Sequence, residues 1–88
     1  MSASVTGVTV RIYTKPRCSL CDEARRVLEE IRTRVDFVLE VVDIRDSPDT
    51  WERYRHAVPV VTVDGEEVGR LRIDAMALES RIRGTGVA

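Results

Sequence analysis

"YTKPRCSLCDEARRVLEE", residues 13–30, is the stretch where an apolar strand gives way to a charged helix, with Cys18 and Cys21 at the junction. They are the only cysteines in the chain, so fold and chemistry are both decided here. Upstream, "VTVRIY" (8–13) alternates and sets Val8, Val10 and Ile12 on one face of a first strand. Downstream, Leu20, Ala24, Val27, Leu28 and Ile31 recur at helical spacing from Ser19 to about Arg34. Asp22 with Arg26 and Glu30 with Arg34 stand at i,i+4 on its exposed side. "FVLEVVDI" (37–44) is nearly continuous and β-branched, as expected of a strand covered on both faces, so the helix reads as the right-handed crossover of a parallel β-α-β unit.

The rest of the chain extends this unit. "SPDTWERYRH" opens with a Ser N-cap and a first-turn Pro48, which predicts a short helix. "VPVVTV" and "EEVGRLRI" flank Asp64-Gly65, a strong hairpin signal. "DAMALESRI" has Asp74 as N-cap, Ala75, Leu78 and Ile82 on one face, and Gly84 just past its expected end. The predicted order is β-α-β-α-β-β-α. Arg11 fits it poorly: mid-strand in a central strand, it needs a carboxylate partner or an exit to solvent.

Composition bounds the function. The 88 residues suit one domain, and 43% hydrophobic content suffices for a globular fold. With 14 basic and 15 acidic side chains the net charge is −1, and nothing marks a nucleic-acid-binding protein. "MSASVTG" shows no signal-peptide pattern and no apolar run approaches a membrane span, so the expected location is cytoplasmic. A close cysteine pair in that compartment is more often catalytic or metal-binding than a structural staple.

Three readings of the pair are open. In the redox reading, the helix N-terminus and nearby Lys15 and Arg17 favour the Cys18 thiolate, while Asp22 and Glu23 oppose it. Cys21, on the same side of the first turn, can close a disulfide, which makes Cys18 the attacking thiol and Cys21 the resolving one. A zinc site wants about four ligands, and the chain offers this pair and His56, so a metal would have to be shared across a dimer. In the third reading both cysteines are simply small buried apolar residues. Strand before and helix after favour the redox reading.

Strand, "YTKPRCSLC", helix, second strand and "AVPVVTVDG" together resemble a glutaredoxin on the thioredoxin fold. The chain is more closely similar to small bacterial glutaredoxin-like proteins with C-x-L-C and a late R-x-D, over about residues 8–83 of a single domain spanning 1–88. The resemblance implies an α/β fold with a four-stranded mixed sheet, order 2-1-3-4, flanked by three helices. It implies a cis Val58-Pro59 bond against the disulfide and thiol–disulfide exchange through Cys18 and Cys21, with no metal or organic cofactor required. It further implies that Lys15 faces a glutathione carboxylate, that Leu20 replaces an aromatic, that the Val58 backbone next to Pro59 pairs with an extended substrate, and that Asp74 stands at the far end of the tripeptide site. The expected partners are a disulfide-containing protein or small thiol, with glutathione or a thioredoxin reductase as electron donor, and the expected state is a monomer. Two departures stand out: Ser19-Leu20 lies between the cysteines where relatives carry Pro-Tyr or Gly-Pro, and "VGRLRIDAM" keeps only Gly69 of the Gly-Gly pair. A different class remains alongside: a redox-inactive module that holds extended peptides in the Val58-Pro59 groove.

Of the remaining residues, His56 reads as a helix-end cation. Trp51 and Tyr54 read as core or half-buried, an exposed Trp51 being a candidate docking residue. Tyr13 is expected to pack beneath the cysteine loop, and Arg70 and Arg72 to form a solvated edge or a partner contact.

Overall fold

The computed structural model describes residues 7–86. The Met1–Thr6 part of the segment read for a signal peptide lies outside them. Strand β1 (Thr9–Thr14) leads to helix α1 (Ser19–Arg32), strand β2 (Val38–Asp43), a 3-10 turn (Ile44–Asp46), helix α2 (Pro48–Tyr54), strands β3 (Val60–Val63) and β4 (Glu66–Arg70), and helix α3 (Ala75–Gly86). The sheet runs β2-β1-β3-β4, with β1 parallel to β2 and antiparallel to β3, and β3 antiparallel to β4. This is the expected mixed sheet and order.

Strand alternation builds two packed layers. Val8, Val10 and Ile12 join Ala24, Leu28 and Ile31 of α1 and Leu78 and Ile82 of α3 in the main core. On the opposite face, Tyr13 packs against Tyr54 of α2 with ring centroids 4.8 Å apart and the rings tilted by 43°. Ile44, Tyr54, Ala57, Val58 and Val60 form a second cluster with Cys21 beneath the cysteine loop. Arg11 has both exits the sequence asked for: its Nε donates to Glu40 Oε1 at 2.8 Å, directly across on β2, and 42% of its side chain is exposed.

Local chemistry sets the element ends. Ser47 Oγ accepts from Asp49 N at 3.2 Å and caps α2. Asp64 (φ 49°) and Gly65 (φ 87°) both take the left-handed conformation that a tight two-residue hairpin demands. Between β3 and β4, Val61 faces Gly69 and Thr62 faces Glu67, so Val68 is the extra residue of a bulge.

Several expectations need correction. β2 is an edge strand and not covered on both faces: Val38 is 50% and Val41 47% exposed. α1 stops at Arg32, and Arg34 reaches back to Glu30 only at 3.9 Å. β4 ends at Arg70, so Arg72 lies in the following loop. α3 runs through Gly84, where a Cβ would meet nothing within 4 Å, so no steric event stops the helix there. Ala75 is exposed, which leaves Leu78 and Ile82 to bury that face. Within the range read for the pair, Tyr54 is core and Trp51 is 37% exposed, so that reading needs no correction.

Arg34 finds its main partner on α3. Its Nη2 meets Glu79 Oε1 at 2.8 Å, and Arg83 meets Glu79 Oε2 at 2.6 Å. Hydrogen bonds from Arg34 first, then from Arg83, lower the Glu79 carboxyl from 4.5 to about 2. A carboxyl held below its unfolded value stabilises the fold above that value and loses the contribution as it protonates. Glu79→Gln is therefore expected to lower the melting temperature at pH 7, with the gap to wild type closing between pH 4.5 and about 2 in a pH series of thermal melts.

Candidate active site

The chain has four residues, Lys15 to Cys18, in which to leave β1 and begin α1. Arg17 makes the turn in the left-handed region, at φ 58°, a conformation that costs a non-glycine residue about 1 kcal/mol. Cys18 follows in extended conformation as the N-cap of α1 (φ −120°, ψ 102°). Its Sγ accepts the Cys21 N–H at 3.1 Å and its carbonyl accepts from Asp22 N at 3.1 Å. The Cys18 sulfur thus takes the place a Ser or Asp oxygen holds in other helices. The two cysteines are joined in a disulfide, their Cα atoms 5.2 Å apart. Cys21 is 2% exposed and sealed in the second core cluster, whereas Cys18 is half-buried at the surface.

Two other segments converge on the pair. Lys15 Nζ donates to the Arg55 carbonyl at 3.0 Å, tying the loop to the end of α2. Val58-Pro59 is cis, and the Pro59 carbonyl accepts from Leu71 N at 2.8 Å, which brings the β4–α3 loop alongside. The result is an open groove of about 420 Å³ in which Lys15, Arg17, Cys18, Leu20, Arg55, His56 and Val58 meet. Leu20 also borders an adjoining recess with Glu23, Leu71 and Arg72.

The structure therefore brings together Cys18, Lys15, Leu20 and Val58, with Cys21 and Pro59 buried behind them. Asp74 Oδ1 accepts from Ala77 N at 3.1 Å, capping α3, and Asp74 lines a recess with Gly69 and Arg81 that shares Arg72 and Ile73 with the recess bordered by Leu20. Arg70 is paired with Glu67 at 2.6 Å. His56, read as a helix-end cation, sits in the groove wall. Sequence reasoning missed Arg55, whose one signal was its place three residues ahead of Val58-Pro59. It also missed Leu71, left-handed at φ 64° and 44% exposed, which no residue-type rule would place there. Among the described residues no group of three or more His, Cys, Asp or Glu side chains forms a metal-holding cluster, and no helix is long and apolar enough to cross a membrane.

A four-stranded mixed sheet with a dithiol at the start of its first helix defines a thioredoxin-fold protein with a cysteine pair placed for redox chemistry. A model of the glutaredoxin-like domain family (DUF836) matches residues 9–83, and the chain belongs to that family. It is similar to a glutaredoxin-like protein homolog from Dictyostelium discoideum, 29% identical over 74 residues, covering 77% of this chain and 68% of that one. A thioredoxin from Methanocaldococcus jannaschii is 29% identical over 65 residues, covering 70% and 76% of the two chains. Among solved structures, protein Ne2328 from Nitrosomonas europaea superposes with a TM-score of 0.76 at 23% identity, covering 92% and 98% of the two chains, which speaks to the fold.

The Arg17 turn can be tested directly. Glycine adopts φ 58° without strain, whereas a β-branched side chain there is an outlier. Arg17→Val is expected to be less stable than Arg17→Gly by roughly 1 kcal/mol in urea unfolding of the oxidised protein.

Proposed function

We propose that the protein is a thiol–disulfide oxidoreductase of glutaredoxin-like type. One observation carries this reading: Cys18 caps α1 at an open groove, with its Sγ on the Cys21 N–H, while Cys21 is buried directly behind it. Backbone N–H groups at a helix start favour an anion, so the reduced Cys18 is placed to react as thiolate.

The exchange balances without a metal or organic cofactor. Cys18 thiolate attacks one sulfur of a substrate disulfide, forming a mixed disulfide and expelling the other sulfur as thiolate. Cys21, having lost its proton to solvent, attacks the Cys18 sulfur and releases the second substrate thiol. Two electrons pass to the substrate, and the Cys18–Cys21 disulfide remains. Its re-reduction needs an external thiol or dithiol, for which glutathione and a thioredoxin reductase are the two candidates. Lys15 and Val58 share the groove with Cys18, which supports their role in holding substrate, and Leu20 contributes apolar surface.

Cys18→Ser is expected to abolish reduction of a protein disulfide. Cys21→Ser is expected to stall as a mixed disulfide on Cys18, visible by mass after acid quench and alkylation. In the reduced wild type, Cys18 should alkylate at lower pH and faster than Cys21. Wild-type protein that reduces no protein disulfide, while Cys18→Ser still holds an extended peptide, would leave a redox-inactive peptide-holding module as the better account.

A further inference from the structure

Among the described residues, seven of the 14 Lys and Arg side chains are in ion pairs; of the other seven, Arg25, Arg26, Arg53 and Arg72 lie outside the cysteine groove, while Lys15, Arg17 and Arg55 line it. Arg11, Arg32, Arg34, Arg45, Arg70, Arg81 and Arg83 each lie within ion-pair distance of a carboxylate. Those around the cysteine groove do not. Lys15 gives its ammonium to a neutral carbonyl, and among the described residues the Arg17, Arg55 and His56 side chains have no carboxylate partner. No carboxylate lines the groove. Asp22 and Glu23, the nearest acids in sequence, open onto other recesses. Basic side chains gathered without a paired carboxylate leave a positive field beside the half-buried Cys18 sulfur. Val58, which lines the groove beside it, has a backbone N–H and C=O with no partner among the described residues, the groups an added extended chain would pair with.

From this juxtaposition we propose that the groove selects extended polypeptide segments in which the disulfide to be reduced is flanked by Asp or Glu. The proposal rests on the oxidoreductase reading and names its substrate class. The carboxylates take no part in the electron transfer. The protein dithiol still yields two electrons and two protons to the substrate disulfide, giving two substrate thiols and the Cys18–Cys21 disulfide. What the carboxylates add is faster encounter and tighter docking, both of which salt screens.

A single-turnover experiment with pre-reduced protein tests this without any external reductant. Three cystine peptides of equal length, flanked by acidic, neutral or basic residues, are mixed with the protein, quenched in acid, alkylated and counted by mass. Each rate constant is divided by that of the same peptide with dithiothreitol, which removes the peptide's own reactivity. The expected order is acidic, neutral, basic, with acidic about 5–10-fold above neutral at low ionic strength and within about twofold at 0.5 M salt. In Arg17→Gln/Arg55→Gln the acidic-to-neutral ratio should fall below about 2. Neutral and acidic peptides reduced alike at low salt would overturn the proposal and leave the oxidoreductase reading standing. An acidic preference unmoved by salt and by the double substitution would overturn its assignment to this groove. Reduction of none of the three peptides would overturn both readings together.

Discussion

The connection from β1 to α1 is the constraint on which the remaining structure depends. Four residues must turn the chain from the central strand onto the helix that covers it, and Cys18 ends that turn as the helix cap. Ile12, fully buried on β1, and Leu28, fully buried on α1, fix where the strand and helix lie. The loop between them has little freedom left. Arg17 absorbs the mismatch by entering the left-handed region, and Cys18 supplies the cap acceptor that the first helical amides need. Packing of the core and placement of the sulfur are thus one event.

The other walls of the groove are held by backbone carbonyls. Arg55 offers its carbonyl to Lys15, and Pro59 offers its carbonyl to the Leu71 amide. Each bond joins a segment distant in sequence to the cysteine region and leaves side chains free for other work. Arg55 is an example: its backbone braces the loop while its guanidinium faces solvent at the groove. The seven arginines in ion pairs lie elsewhere, and three of their pairs join distant segments: Arg11 on β1 to Glu40 on β2, Arg34 after α1 to Glu79 on α3, and Arg81 on α3 to Glu66 on β4.

Much of this was legible in the sequence because local patterns and tertiary demands agree. The alternation of Val8, Val10 and Ile12, the caps Ser47 and Asp74, and Asp64-Gly65 each state a backbone geometry that packing then uses. Arg11 was legible as a conflict, and Glu40 resolves it across the strand pair. The run at β2 misled, because continuous β-branched residues signal strand but not how many neighbours the strand has. Gly84 misled for a related reason: glycine permits a helix stop without requiring one. Of the candidate site, the residues contiguous with the cysteines were readable. Arg55, His56 and Leu71 entered the site region through three-dimensional closure of segments that carry no signature for it. Asp74 had a signature, but one that its capping bond to Ala77 satisfies locally.

The edge position of β2 has a consequence for solubility. Residues 38–42 of β2 read VLEVV, a run whose outer backbone edge faces no strand among the described residues and whose Val38 and Val41 are half exposed. Such a segment is a template for edge-to-edge growth between molecules. Glu40 is the one charge within it, and Arg11 holds that charge in place from the adjacent strand. The buried-looking conflict on β1 and the exposed liability on β2 therefore answer each other. A single ion pair accommodates a misplaced cation and also serves as the gatekeeper of the sheet's open edge.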